Sequence, residues 1–423
     1  MTFNSNFHHL DYKKPKQGGK SFLSSFFRKA FIKKFKKIKT GFIKINDKEG
    51  NFSFGNSRDD LQTEVHILSQ DFYVMLGSGG VIGVAEAYMA GSWKSSNLRT
   101  LLQIVLQNKE VLSEIDTGLA KIIRPINIMI HHRKKNTILG SKKNILAHYD
   151  VGNEFYKLWL DRTMTYSCAI FENSSSSLEN ASIEKLDRLC RKLDIKKKDN
   201  ILEIGTGWGS FAMHAAKNYG CSITTTTISD AQYSYVEELI STHRLGSKIT
   251  LIKEDYRNLK GKYDKIISIE MIEAVGYEFI PLFFSKVSSL LKPDGLVALQ
   301  GITYNDQQFD IYKNSVDFIK KYIFPGSCLI SIAQIANVIK DNTDLAIIDM
   351  EDITIHYAET LKRWRENFLS STEEIKQLGF SKHFIKMWEF YFAFCEAGFL
   401  ERNIGDVQLI FAKSGSRDIR ITH

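Results

Sequence analysis

Residues 201–209 read Ile-Leu-Glu-Ile-Gly-Thr-Gly-Trp-Gly, and the fold class follows from this stretch. A short apolar run leads into three closely spaced glycines, and a helical segment, Phe211–Asn218, comes next. Glycine suits such a strand-to-helix turn because the backbone must turn tightly and approach a ligand closely. The acid before the turn, Glu203, is placed to anchor the loop or to reach an amino group of the ligand. We therefore predict a ligand-binding loop at this turn.

The spacing of the glycines separates two classes of cofactor. A dinucleotide site favours Gly-x-Gly-x-x-Gly, with an acid about 20 residues later. Here the third glycine, Gly209, comes one residue earlier, which is the spacing typical of methyltransferases. The loop therefore favours S-adenosylmethionine over a nicotinamide dinucleotide. A plain structural turn is a weaker alternative, because closely spaced glycines destabilise an ordinary connection.

Strands and helices alternate on both sides of this loop. Such alternation predicts an α/β fold with a mostly parallel, Rossmann-like sheet covered on both faces, and we assign residues 145–415 to it. The predicted strands are Ile201–Ile204, Ser222–Ile228, Ile249–Lys253, Lys265–Ile269, Gly295–Gly301 and Val407–Ala412. The predicted helices are Phe211–Asn218, Tyr233–His243 and Ile280–Leu291, and the aromatic segment Thr360–Gly398 is expected to be largely helical.

A smaller mixed domain is expected over residues 41–140. A basic connector, Arg133–Lys143, follows it. The strands predicted in this domain are Glu64–Leu68 and Phe72–Leu76, and the helices are Val84–Ala90 and Leu98–Gln107.

The positive charge of the chain is concentrated in residues 1–40. The net charge is +9, and this tail holds eleven basic residues and one acid. Aromatic and aliphatic residues recur at helical spacing within Lys20–Lys39, between the cations. A basic amphipathic helix of this kind suits an anionic phospholipid surface. Two alternatives remain, namely a charged helix that packs one face on the protein and a tail that binds RNA.

Other bulk features favour a cytoplasmic protein without metal. No run reaches the roughly 18 apolar residues of a membrane-spanning helix, and the N-terminus lacks the pattern of a signal peptide. The five cysteines are scattered without a Cys-x-x-Cys pair, so neither a zinc site nor a disulfide framework is indicated.

Several further blocks resemble the cyclopropane-fatty-acyl-phospholipid synthases and their relatives. The resemblance covers residues 75–415 and implies a class I methyltransferase fold with a smaller N-terminal lipid-binding domain. The blocks are Gly83–Trp93, His148–Tyr156, Thr165–Cys168, the glycine loop, Thr227–Gln232, Glu254–Arg257, Glu270–Gly276, Lys321–Gly326 and Tyr357–Leu361.

The resemblance also implies roles for individual residues. Tyr166 and Ser167 would touch the methionine end of S-adenosylmethionine. The remaining cofactor contacts would come from Glu203, Gly205, Gly207, Thr227, Ile228, Gln232, Glu254 and Asp255. The positions around a bicarbonate that serves as the base would be Cys168, Glu273, Gln300, Ile302 and Tyr357.

The implied substrate is the double bond of an unsaturated phospholipid acyl chain. Methyl transfer to an alkene leaves a carbocation, which aromatic faces can stabilise. Tyr166, Phe171, Tyr304 and Tyr357 are the candidates for this role. A base must then remove a proton to close a cyclopropane ring. Taken singly, Cys168 and Tyr357 would be read as core residues, and only the family blocks give them a catalytic role.

The sequence departs from many of these synthases at two positions. Ala274 and Gln300 stand where they carry histidine, and the histidine at the Gln300 position helps to hold the bicarbonate. This places the chain in a subgroup that includes enzymes adding a methylene or methyl branch to oleoyl chains. A cyclopropane product is favoured and a branched product is the alternative.

A methyltransferase of a non-lipid substrate and a non-catalytic membrane-binding protein are the other hypotheses. We expect no nucleic-acid partner, and the sequence leaves open whether the protein forms a homodimer.

Overall fold

The chain folds into two units that alternate along the sequence. A computed structural model describes residues 22–111, 136–137, 140 and 151–417. Unit 1 comprises Met1–Arg133, Ser315–Ile323 and Leu361–Asn403, and unit 2 comprises Lys134–Asn314, Phe324–Thr360 and Ile404–His423.

The elements are labelled in chain order. The strands are β1 (Phe42–Asp47), β2 (Gly50–Gly55), β3 (Gln62–Ile67), β4 (Trp93–Ser95), β5 (Asn200–Ile204), β6 (Ser222–Thr226), β7 (Ile249–Ile252), β8 (Tyr263–Ile269), β9 (Leu291–Tyr304), β10 (Leu345–Asp352) and β11 (Ile404–Lys413). The helices are α1 (Phe22–Phe35), α2 (Asp71–Met89), α3 (Leu98–Gln107), α4 (Asn153–Lys157), α5 (Leu178–Lys192), α6 (Ser210–Asn218), α7 (Asp230–Thr242), α8 (Ile280–Leu290), α9 (Phe309–Lys313), α10 (Ile332–Asn342), α11 (Thr354–Ser370), α12 (Thr372–Gln377) and α13 (Lys382–Leu400).

Unit 2 is built on a mixed sheet with the order β10-β11-β9-β8-β5-β6-β7. The strands from β9 to β7 pair in parallel, whereas β11 pairs antiparallel with both β9 and β10. The predicted α/β class with a mostly parallel sheet is therefore confirmed. The predicted strands are present within a few residues of their expected ends, although β9 is longer than predicted and β10 was not predicted.

Both faces of this sheet are buried by helices. Successive residues of β5 point into different clusters, because side chains alternate across a strand. Leu202 and Ile204 share a cluster with Phe283 of α8. Ile201 lies in the other cluster with Phe211 of α6. The glycine loop after β5 is therefore fixed by packing on both sides of the strand that leads into it.

Unit 1 contains a smaller sheet with the order β2-β1-β3-β4. The helix predicted at Leu98–Gln107 is confirmed as α3, but the strand predicted at Phe72–Leu76 is wrong, because those residues form the first turns of α2. Helix α2 continues through a glycine-rich stretch and is kinked at Gly80, where φ is +57°. By length and composition α2 could cross a membrane, but half of its most apolar window is buried inside the protein.

The basic helix predicted near the N-terminus is present as α1, and its aromatic face is divided. Phe31 and Phe35 are buried in unit 1, and the ring of Phe31 packs against Phe72. Phe22 and Phe26, by contrast, are 86% and 58% exposed. The alternative in which one face packs on the protein therefore holds for the second half of the helix. Residues 1–21 of the predicted tail lie outside the described residues.

The division of the chain differs from the predicted one. The aromatic segment Thr360–Gly398 is helical, as predicted, but residues 361–403 and 315–323 belong to unit 1 and not to the unit with the glycine loop. The predicted connector Arg133–Lys143 lies mostly outside the described residues. Residues 148–150 of the His148–Tyr156 block lie wholly outside them.

Candidate active site

A cleft lies in unit 2 beside the glycine loop that follows β5. The loop needs its glycines because φ is +98° at Gly205, +52° at Gly207 and +86° at Gly209, a region that other residues rarely adopt. A Cβ atom at Gly205 would lie 2.9 Å from Met271 Cγ. A Cβ atom at Gly207 would meet no protein atom within 4 Å, so the backbone at this point is open to a ligand.

All ten residues that the sequence analysis assigned to the cofactor line this one cleft. They are Tyr166, Ser167, Glu203, Gly205, Gly207, Thr227, Ile228, Gln232, Glu254 and Asp255. Residues that the sequence analysis did not single out also line it, among them Met164, Lys185, Trp208, Arg257, Glu270 and Met271.

Glu203 is buried at the end of β5. Its Oε2 accepts a hydrogen bond of 2.6 Å from the Thr225 hydroxyl. Burial raises the pKa of Glu203 to about 8, and the Thr225 hydroxyl and the Lys185 charge oppose that rise. A ligand ammonium group in the cleft would favour the ionised form of this carboxyl. Glu203 therefore fits the role of an amino-group partner.

The segments that follow β6 and β7 supply the far wall of the cleft. The Thr227 hydroxyl donates to Gln232 Oε1 at 2.8 Å and accepts from the Ser229 amide at 3.1 Å. Asp255 forms a buried ion pair with Arg257 at 2.6 Å. Hydrogen bonds and an ion pair within the protein therefore fix the orientation of these polar side chains.

The near wall combines aromatic rings with a buried cation. The ring of Tyr166 packs edge-on against Trp159 and lies 5.7 Å from that of Tyr156. The Ser167 hydroxyl accepts a hydrogen bond of 2.7 Å from Lys185 Nζ. Lys185 is fully buried, and burial lowers its pKa while Glu270 opposes the shift.

Three of the residues predicted to surround bicarbonate converge on a carboxylate of the protein instead. Glu270 Oε1 accepts from the Cys168 backbone amide at 2.7 Å and from Gln300 Nε2 at 2.8 Å. Glu270 Oε2 accepts from the Tyr357 hydroxyl at 2.6 Å. The backbone at Glu270 has φ of +48°, which turns this side chain towards the three donors.

Cys168 takes part through its backbone. Its thiol is buried and donates to the Ala169 carbonyl at 3.2 Å, and burial raises the pKa of the thiol well above its usual value. A thiol in this state is a small apolar group and not a nucleophile.

The other two predicted residues form a separate pair. Glu273 Oε1 accepts from the Ile302 backbone amide at 2.5 Å, and Glu273 Oε2 has no hydrogen-bond partner within the described part of the chain. Burial, assisted by the nearby Glu270, raises the pKa of Glu273 to about 8. Glu273 is not among the residues that line the cleft.

The predicted bicarbonate does not fit this arrangement. The amide of Cys168, the amide of Gln300 and the hydroxyl of Tyr357 all donate to Glu270, and the amide of Ile302 donates to Glu273. A separate anion would find these donors already used and would lie beside a carboxylate of its own charge.

Glu270 was not predicted as a site residue, although the sequence around it carries a signal. The block Glu-Met-Ile-Glu-Ala-Val-Gly contains two acids, and the family resemblance pointed to the second. The first accepts from Cys168, Gln300 and Tyr357, whereas the second accepts only from the Ile302 amide among the predicted residues.

The four aromatic candidates for stabilising a cation are not brought together. Tyr166 lines the cleft and Tyr357 contacts Glu270. The ring of Tyr304 stacks on Tyr312 at 4.1 Å, and the Phe171 ring stacks on His356 at 6.5 Å, and neither lines the cleft.

Comparisons with known proteins agree with this geometry. Residues 137–409 match the family model described as mycolic acid cyclopropane synthetase. The chain is 35% identical to the tuberculostearic acid methyltransferase UfaA1 of Mycobacterium tuberculosis, over 77% of each chain. It is 31% identical to the cyclopropane-fatty-acyl-phospholipid synthase of Escherichia coli, over 85% of this chain and 90% of that protein.

Solved structures show the same fold. The cyclopropane synthase MmaA2 from Mycobacterium tuberculosis superposes with a TM-score of 0.60 at 27% identity, over 64% of this chain and 98% of that one. The mycolic acid cyclopropane synthase CmaA1, complexed with SAH and CTAB, also gives 0.60, at 28% identity over the same shares. The class I methyltransferase fold predicted from the sequence is therefore confirmed.

Proposed function

The chain belongs to the mycolic acid cyclopropane synthetase family of S-adenosylmethionine-dependent methyltransferases, and we propose that it methylates the cis double bond of unsaturated phospholipid acyl chains. The observation that carries this proposal is the position of Glu270. Its carboxylate lies in the wall of the cofactor cleft and is held by three donors. A fixed base beside the methyl donor is what this reaction requires.

The chemistry explains why a base is needed there. When bound, S-adenosylmethionine supplies a methyl group on a positively charged sulfur. An alkene is a weak nucleophile, so the enzyme must align its π electrons with that methyl group. The addition leaves a positive charge on the acyl chain, and the product forms when a base removes a proton. Glu270 is the carboxylate in the cleft that we assign to this proton transfer.

The protein holds this base in one orientation. Gln408 Nε2 donates to Gln300 Oε1 at 3.1 Å, which turns the Gln300 amide so that its NH2 group faces Glu270. Gln300 and Gln408 are both fully buried. Exclusion of water from this region protects the cationic intermediate from capture as an alcohol. Gln300 therefore acts on the base directly and not on a bicarbonate.

A cyclopropane ring is the product we propose first. The ring closes when a proton leaves the new methyl group and that carbon bonds to the cationic carbon. The relative named cyclopropane-fatty-acyl-phospholipid synthase supports this product. The relative named tuberculostearic acid methyltransferase favours a second candidate, a branched chain. A hydride shift before deprotonation would give a methylene branch from the same cation and the same base.

The proposed place of action is the cytoplasmic face of an anionic membrane. The exposed side chains Phe22, Leu23 and Phe26 lie at the start of α1, and basic residues follow them along the helix. Aromatic side chains enter the headgroup boundary while cations attract anionic lipids. The same features support a peripheral membrane protein over an RNA-binding one.

The test uses purified protein, methyl-labelled S-adenosylmethionine and anionic vesicles. Vesicles of dioleoyl phospholipid should gain label in their acyl chains, whereas vesicles of matched saturated phospholipid should not. Hydrogenolysis opens a ring, and dimethyl disulfide adds to a methylene group, so the two products are distinguished by mass spectrometry. Label in both vesicle types, or in neither, would contradict the proposal.

A further inference from the structure

A second carboxyl group lies directly behind the proposed base. Asp406, on β11, is fully buried, and its Oδ2 is 3.5 Å from Gln300 Nε2. The same Gln300 nitrogen donates to Glu270 Oε1 at 2.8 Å. The carboxyls of Asp406 and Glu270 also lie within hydrogen-bonding reach of each other. Two acids thus meet at one buried amide.

The surroundings of Asp406 contain few groups that would stabilise a negative charge. The charged and titratable groups that face it are Glu270, Glu273, Lys185 and Cys168. Lys185 Nζ donates a hydrogen bond of 2.7 Å to the Ser167 hydroxyl. Asp406 Oδ1 has no hydrogen-bond partner in the part of the chain that the structure describes. An ionised carboxylate with an unpartnered oxygen at this depth would be costly.

Two adjacent carboxyls, of which Asp406 is fully buried, do not both ionise readily, so the pair holds a proton. Glu270 accepts from the Cys168 amide, the Gln300 amide and the Tyr357 hydroxyl, and each of these donors favours its charged form. Asp406 accepts from Gln300 only at 3.5 Å, and its other side-chain neighbours are the Glu270 carboxyl and the Cys168 thiol. Burial, and then the neighbouring Glu270, raise the pKa of Asp406 well above its usual value. Burial and these contacts therefore favour Asp406 as the carboxyl that keeps the proton.

We propose that Asp406 is a positioning residue that works as a neutral carboxylic acid, donating to Glu270 and keeping that carboxylate ionised and correctly aimed. This inference rests on the proposed function of Glu270 as the base. In this role Asp406 does not contact the substrate. If Asp406 were ionised instead, its charge would repel that of Glu270 and would draw the proton onto the base.

The Asp406→Asn variant tests this directly, because asparagine has the shape of the neutral acid and keeps a donor. We expect a kcat within about threefold of wild type, whereas Asp406→Ala should lower kcat at least tenfold without changing the KM for S-adenosylmethionine. The acid limb of the pH profile should stay in place in Asp406→Asn. The matched control is Asp341→Asn, at an exposed position.

An acid limb that moves to lower pH in Asp406→Asn would overturn the inference, because that variant would then have removed a negative charge. An Asn variant that fails to fold would also overturn it.

Infrared spectroscopy gives a readout that does not depend on turnover. Asp406→Asn should lose a band of a protonated carboxylic acid, and loss of a carboxylate band instead would contradict the assignment. If wild type transfers no methyl group, the proposed function fails while the infrared result still decides the state of Asp406.

Discussion

Glu270 and Glu273 lie three residues apart, yet their carboxylates have different surroundings. The chain turns at Glu270 with a positive φ of +48°, so that side chain enters the cleft, whereas Glu273 turns back to the Ile302 amide. The sequence identified the short block and its chemistry. It could not identify which acid faces the ligand, because a left-handed residue other than glycine leaves no mark in a sequence pattern.

Replacing Glu270 by glutamine should abolish most of the turnover. The amide keeps the size of the side chain but cannot take a proton, so we expect a loss of roughly 10²–10⁴-fold in kcat. Affinity for S-adenosylmethionine, measured by calorimetry, should stay close to that of wild type. Glu237→Gln, at an exposed position on α7, is the matched control. Turnover near the wild-type level in Glu270→Gln would remove this residue from the mechanism.

Replacing Gly207 by valine should abolish cofactor binding in a protein that still folds. The new side chain would project into the open cleft, since a Cβ there meets no protein atom within 4 Å. The left-handed backbone adds a destabilisation of roughly 1–2 kcal/mol. Gly246→Val serves as the control, because a Cβ at that position also meets nothing and φ is not positive. Equilibrium dialysis with labelled cofactor gives the result, and retained affinity would contradict the placement of the cofactor.

At the scale of elements, periodicity predicted that α1 is a helix but not how it is divided. Phe31 and Phe35 have partners in unit 1, whereas Phe22 and Phe26 extend beyond them. Similarly, the aromatic and β-branched run Phe72–Leu76 looked like a strand. Its helical state follows from packing inside unit 1, which overrides local propensity. Both outcomes depend on residues distant in sequence.

The two halves of α1 should respond differently to substitution. Phe22→Ser combined with Phe26→Ser should weaken binding to anionic vesicles, each ring contributing up to about 1.5–3 kcal/mol, without lowering the melting temperature. Phe31→Ala should instead destabilise the protein by about 3–5 kcal/mol. Vesicle sedimentation at several salt concentrations and thermal unfolding measure the two effects. Unchanged vesicle binding in the double variant would show that α1 is not the membrane contact.

The buried carboxyl of Glu273, which accepts from the Ile302 amide of β9, should make the free energy of unfolding depend on pH. The pKa of Glu273 is raised from 4.5 to about 8 in the folded protein, mainly by burial. Its contribution to stability is therefore complete below pH ~4.5 and is lost as pH rises towards ~8, at about 1.4 kcal/mol for each unit.

Glu273→Gln removes this titration. The variant should therefore gain stability relative to wild type as pH rises from 5 to 8, as measured by urea unfolding. Glu278→Gln, at an exposed position, is the control. A difference between Glu273→Gln and wild type that stays constant with pH would show that Glu273 is ionised throughout this range.

At the scale of the whole molecule, the sequence predicted which strands and helices exist in unit 2 far better than how the chain is divided. Hydrophobic runs and the glycine loop are local signals, so the alternation of strands and helices was visible. The position of β11 between β9 and β10, and the assignment of residues 361–403 to unit 1, depend on long-range pairing and packing. The cofactor wall was predictable through the family blocks, whereas Asp406, Lys185 and Gln408 lie outside those blocks.

The most direct test follows label into the lipids of living cells. A host that makes monounsaturated phospholipids but no ring-bearing or branched chains would express this protein, or its Glu270→Gln variant, while fed methyl-labelled methionine. Mass spectrometry of the acyl chains should show one added labelled carbon on monounsaturated chains with the wild-type protein and none with the variant. Folded wild-type protein that binds S-adenosylmethionine but leaves the acyl chains unlabelled would contradict the assignment of a lipid substrate.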